Sequence, residues 1–150
     1  MATDLNTLKN RIQTVTAAVN GQKSVLLLLT GKRLEGLMKA RIFNKGLDQQ
    51  GSKIGSYSKA WSKVRQKRGN QTSYVDLQFK GDLIRSFKTV QDGNEAVLAI
   101  VNNTDYVKAR GNEERRKKTI FEPTAGELIQ IEQYFDDLVT DVVISAFKNI

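Results

Sequence analysis

Leu5, Leu8, Ile12 and Val15 recur at spacings of three and four, which places them on one face of a helix. Asn20-Gly21 reads as a break, after which residues 24–43 carry Leu27, Thr30, Leu34, Leu37, Met38 and Phe43 at helical spacing. Gly31 and Gly36 weaken this second helix by up to about 1 kcal/mol each relative to alanine, or permit close approach of another backbone. Residues 46–70 hold four glycines and few apolar side chains beyond Ile54, Trp61 and Val64, the composition of a long loop with a short helical turn near residues 59–65. Residues 74–79 alternate, with Val75, Leu77 and Phe79 on one side, and predict a short strand. A helical turn bearing Leu83, Ile84 and Phe87 follows. The next hairpin signal is the clearest in the chain: residues 87–91, Asp92-Gly93-Asn94, then residues 96–101. Asn102 to Asp105 ends that strand and caps a short turn with Tyr106 and Val107. Residues 108–118 read as an exposed polar loop, and Thr119, Ile120 and Phe121 as a return to the sheet edge. Thr124 and Glu127 form a capping box for a final helix whose stripe is Leu128, Ile131, Phe135, Leu138, Val142 and Ala146.

The order helix, helix, loop, small sheet, helix predicts one α+β domain. N-terminal helices and a long C-terminal helix pack on a small, mostly antiparallel sheet with a long basic loop. The expected divisions are residues 1–45 helical, 46–72 the basic loop, 73–122 the sheet with short helices, and 124–149 the C-terminal helix.

Charge adds a polarity to this plan. The net charge is +8. Residues 32–68 hold eleven Lys and Arg against Glu35 and Asp48, residues 108–118 six against Glu113 and Glu114, and residues 120–150 six acids against Lys148. Such separation suits a polyanionic partner, neighbouring copies whose opposite charges meet, or simply a solvated basic face. The basic stretch holds Lys59, Lys63, Arg65, Lys67 and Arg68 around Trp61, and a second cluster holds Arg115, Arg116, Lys117 and Lys118. Phosphate contact through these side chains needs no base sequence. Trp61 is read as an anchor that ties its loop to the core, with stacking on a base as the alternative.

Composition removes several chemistries. The chain has no cysteine and no histidine, so disulfides, thiolate nucleophiles, imidazole bases and Cys/His zinc sites cannot be built from it. Gly31-Lys32 fails as a phosphate-binding loop, because Leu26 stands at the first glycine position and Arg33 at the hydroxyl position. Glu113-Glu114 and Asp136-Asp137 are adjacent pairs that point to different helix faces and are read as solvated. The longest apolar run, residues 25–29, is far short of the about 20 residues of a bilayer span, and residues 1–10 lack a signal-peptide pattern, which predicts a cytoplasmic start.

Four segments together resemble the phage virion morphogenesis and tail-completion proteins of the head–tail junction. They are Ala40-Arg-Ile-Phe43 before a Gly-rich stretch; Ser58-Lys-Ala-Trp61-Ser-Lys-Val before a basic run; Leu77-Gln-Phe-Lys-Gly81-Asp-Leu83-Ile-Arg-Ser86-Phe before a hairpin; and Asp105-Tyr106-Val-Lys-Ala-Arg-Gly111 followed by Ile120-Phe-Glu-Pro123. The resemblance covers residues 40–128. The chain departs from the family pattern in having Lys80 where the family has threonine, no histidine after Tyr106, and an arginine-proline segment reduced to Phe121-Glu-Pro123. The resemblance implies a non-enzymatic virion protein without cofactor or metal, located at the neck or tail terminus after assembly in the host cytoplasm. It implies a homo-oligomeric ring that contacts portal, adaptor or tail tube proteins and no membrane. Weak non-specific contact with passing DNA is the physical expectation for a basic surface on such a ring. The competing expectations are a stand-alone basic nucleic-acid-binding module and, more remotely, a carboxylate-dependent metal nuclease using Asp76, Asp82 or Asp105.

Overall fold

A computed structural model describes residues 4–149. In chain order the elements are α1 (Leu5–Lys39), a π-helical turn (Ala40–Asn44), α2 (Lys59–Lys67), α3 (Asp82–Ser86), β1 (Phe87–Asp92), β2 (Glu95–Ile100), α4 (Asn103–Arg116) and α5 (Ala125–Lys148). The architecture is α+β: a long N-terminal and a long C-terminal helix pack with a two-stranded antiparallel sheet.

The break expected at Asn20-Gly21 is absent. Helix α1 runs through it, because a single exposed glycine costs only about 1 kcal/mol and no proline opposes continuation. The helix ends in the π turn, whose wider coil turns three successive residues, Arg41, Ile42 and Phe43, into the interior. Phe43, Phe87 and Phe121 form a tilted aromatic triangle with centroid separations of 6.4, 6.5 and 5.9 Å. Met38, Ile42, Ile54, Val75, Leu83, Ala109 and Ile120 close around it. The core therefore sits at the C-terminal end of α1.

The hairpin follows its sequence signal. Phe87 pairs with Ile100 and Asp92 with Glu95, and Gly93 takes φ 59° at the first turn position. Its inner face lies against α1 at Gly31, where a Cβ would come within 2.6 Å of Thr89 Cγ2. Glu35 on α1 accepts the Thr89 amide at 2.7 Å, stitching helix to strand. The Glu35 carboxyl is lowered to about 2: burial alone raises it, but hydrogen bonds from Lys39 and the Thr89 amide outweigh that.

Three further expectations change. Residues 74–79 are not a strand; Val75 and Asp76 are both buried, and Leu77 adopts φ 54°. A pleated strand would send neighbours to opposite faces, whereas here Arg65 draws Asp76 inward beside Val75. Residues 108–118 are mostly helix α4. Asn102 caps it by accepting the Asp105 amide at 3.2 Å, and Asp105 and Ala109, four residues apart, form its buried edge. The charge run that suggested a loop consists of good helix formers. Thr119, Ile120 and Phe121 do not join the sheet; the amides of Ile120 and Phe121 instead donate to Glu113 at 2.8 and 3.2 Å.

Helix α5 starts as read: Thr124 accepts the Glu127 amide at 3.0 Å, and Glu127 accepts the Thr124 amide at 2.8 Å. Glu127 also pairs with Arg41 Nε at 2.8 Å, and both side chains are buried. Arg41 further donates to the carbonyls of Leu47, Ile120 and Glu122, so one guanidinium ties the end of α1 to the start of α5. From that joint α5 returns antiparallel along α1, with Leu26 and Val142 buried further along the packed pair. The two helices differ in length: 35 residues against 24, or about 52 Å against about 36 Å. Roughly the first three turns of α1 therefore project beyond α5 as an arm. Along that arm Leu5, Leu8 and Ile12 are 79%, 44% and 53% exposed.

Candidate functional site

Parts of both basic segments, Trp61 and Arg65 from one and Arg115 and Arg116 from the other, line a cleft of about 950 Å³. One wall is the approach to α2, with Tyr57 and Trp61; the floor is the turn through Leu77 and Phe79; the other wall is α4, from Asp105 to Arg116.

Internal polar bonds hold these walls. Gly46 has φ 65°, and a Cβ there would meet the Val75 carbonyl oxygen at 2.6 Å, so only glycine lets the loop cross at this point. Asp48 accepts the amides of Gln50 and Ser52 at 2.9 Å each and Lys118 Nζ at 2.8 Å. Burial raises the Asp48 carboxyl, yet these bonds hold it below the usual carboxylate range. Beneath α2, Arg65 Nη2 meets both Asp76 carboxylate oxygens at 3.0 Å, and Arg65 Nε donates to the Gln71 carbonyl at 2.8 Å. The same guanidinium stacks 4.3 Å from the Tyr57 ring centre. Tyr57 donates to Asp76 at 2.8 Å, and burial together with that carboxylate pushes its hydroxyl up to about 12.

The nine basic candidates separate into three groups. Arg65 is only 2% exposed and fully engaged by Asp76 and backbone carbonyls, so it cannot face DNA or a neighbour; it is a structural arginine. Lys118 is spent on Asp48 and the Lys53 carbonyl at 2.8 Å, and its role is likewise internal. Lys59, Lys63, Lys67, Arg68, Arg115 and Lys117 are exposed; of these, Arg115 lines the cleft and Arg68 lies over Phe79 on its floor, whereas Lys59, Lys63 and Lys67 occupy the face of α2 opposite Trp61. Arg116 stands between these groups. It is half-buried against Gly55 and makes no hydrogen bond or ion pair among the described residues. Burial first, and then the adjacent Arg115, lower its basicity.

Trp61 packs on Phe79 with ring centres 4.9 Å apart, and Arg68 covers the same Phe79 ring at 4.7 Å. The indole remains 39% exposed at the cleft mouth, so one residue both rests on the floor and presents a face to solvent. Ser58 caps α2 by accepting the Trp61 amide at 3.2 Å, which fixes where that indole emerges.

The three acids considered for metal chemistry are already paired. Asp76 lies under Arg65, Asp82 holds Arg85, and Asp105 holds Lys108 at 3.3 Å. Among the described residues no group of three or more acids is placed to hold a metal ion. Asp136 and Asp137 are exposed on the outer face of α5. No helix among the described residues is long and apolar enough to cross a membrane. What sequence reasoning missed are the pairings Tyr57–Asp76, Arg65–Asp76 and Arg41–Glu127, whose members lie 19, 11 and 86 positions apart. No local pattern signals pairings of that reach. No protein family, curated protein or solved structure matches the chain.

Proposed function

We propose that this protein is a non-enzymatic assembly subunit, a ring component at the head–tail junction or tail terminus of a tailed-phage virion. The observation that carries this reading is the α1 arm: an apolar stripe that α5 is too short to cover, left 44–79% exposed at Leu5, Leu8 and Ile12. A solitary helix of a few turns gains little stability by itself, and a bare stripe at core spacing suits a partner that covers it. The segregation of charge, basic around the cleft and acidic on α5, adds two unlike surfaces, which a closed ring with head-to-tail contacts requires. The sequence resemblance supplies the biological setting.

Negative-stain microscopy and native mass measurement of the purified chain at micromolar concentration test the reading. Closed rings of uniform copy number are expected, as is co-purification with portal, adaptor or tail tube proteins. A protein that stays monomeric and binds none of these overturns it.

One observation favours a second reading as a nucleic-acid-binding module: a half-exposed Trp61 shares a cleft with Lys80, Lys108, Arg115 and Arg116. Submicromolar duplex binding by the isolated monomer, falling steeply as salt is added, would favour it over the ring.

A further inference from the structure

Resting on the ring reading, we infer that the α1 arm of one copy docks on the outer face of the C-terminal half of α5 in the next copy. The arm's stripe is Leu5, Leu8 and Ile12, and it lies on the same face of α1 as buried Leu26. Within a subunit α5 covers this face only as far as its own end. A second helix must cover the remainder, and the chain carries a match.

On α5, Ile144 and Phe147 are 46% and 50% exposed although they sit in a well-formed helix, because they point away from α1. With Thr140 they form a stripe at spacings of four and three, of the same period as that on the arm. The flanks of the two stripes carry opposite charge. Lys9 and Arg11 border the arm's stripe, one on each side, and Asp136 and Asp137 border that of α5 in the same way. All four are exposed and make no ion pair among the described residues. Two arms laid against each other would instead bring their own cations together, with Asp4 the single acid on the arm. Since the arm and the outer face of α5 are different surfaces, the contact is heterologous and propagates from copy to copy until it closes.

The chain's lack of cysteine makes the test clean. Two single-cysteine proteins, Leu8→Cys and Ile144→Cys, one carrying a mass tag, are mixed and treated with a short bismaleimide. The expected product is the mixed cross-link, formed faster than either self-cross-link. Leu8→Cys linking to itself just as fast would mean that arms pair with arms, and it overturns the inference. In parallel, K9E/R11E is expected to weaken assembly by about tenfold or more, through like-charge contact with α5. Adding D136K/D137K to the same chain is expected to restore it. These four positions lie outside the core, so circular dichroism and thermal unfolding should match the parent protein. Rings that persist unchanged in K9E/R11E overturn the docking contact but leave the ring reading standing. Absence of any ring from the parent chain overturns the ring reading itself.

Discussion

The two halves of α1 share one periodicity and lead opposite lives. In the C-terminal half, Leu26 and Met38 are 4% and 1% exposed beneath α5, the hairpin and the loops. In the N-terminal half, Leu5, Leu8 and Ile12 continue the apolar pattern into solvent. The helix is the same; what differs is whether a second element is long enough to lie beside it. Apolar spacing therefore specifies that a face will be buried, and chain topology decides whether the burial happens within one subunit or between two.

The largest expected effect comes from the joint that closes the covered half. Glu127→Ala strands Arg41 as a buried, half-satisfied cation and should cost about 3–5 kcal/mol, measured by urea unfolding. Leu26→Ala, which leaves a cavity between α1 and α5, should cost about 2–5 kcal/mol in the same assay. Leu8→Ala removes the same side chain from the bare half and should change monomer stability by under about 0.5 kcal/mol. Equal costs at Leu26 and Leu8 would erase the distinction between the two halves.

Glycines sharpen it further. At Gly31 a new Cβ would lie 2.6 Å from Thr89 Cγ2, so Gly31→Ala should destabilise by about 1–3 kcal/mol. At Gly21 a Cβ meets nothing within 4 Å, and Gly21→Ala should stabilise by up to about 1 kcal/mol. A further effect is one of pH, at the contact between α1 and β1. Glu35 is lowered to about 2 from an ordinary value of 4.5, so the folded state binds its proton less readily than the unfolded chain. Its contribution is complete above pH 4.5 and disappears as pH falls toward 2. Glu35→Gln should flatten the acid limb of the stability profile across that window.

Much of this fold is legible in sequence where the determinants are local. The capping box at Thr124 and Glu127, the Asp92-Gly93-Asn94 turn and the stripe of α5 all rest on residues within a few positions of one another, and each forms as its pattern implies. The same local reasoning misjudged Asn20-Gly21, residues 74–79 and residues 119–121. In each case a distant group decided the outcome or a weak local penalty was outvoted. Arg65 drew Asp76 out of an alternating strand, Glu113 captured the amides of Ile120 and Phe121, and one exposed glycine was too small a cost to interrupt a helix.

The candidate site divides along the same line. Sequence alone determined which residues are basic, that cysteine and histidine chemistry is absent, and that two cationic segments flank a tryptophan. Only the tertiary structure decided that Arg65 and Lys118 are internal struts, while Lys59, Lys63, Lys67, Arg68, Arg115 and Lys117 remain on the surface. A charge in a sequence has no address. Its role is assigned by the nearest acid in space, and here those acids, Asp76 and Asp48, are brought by the fold from 11 and 70 residues away.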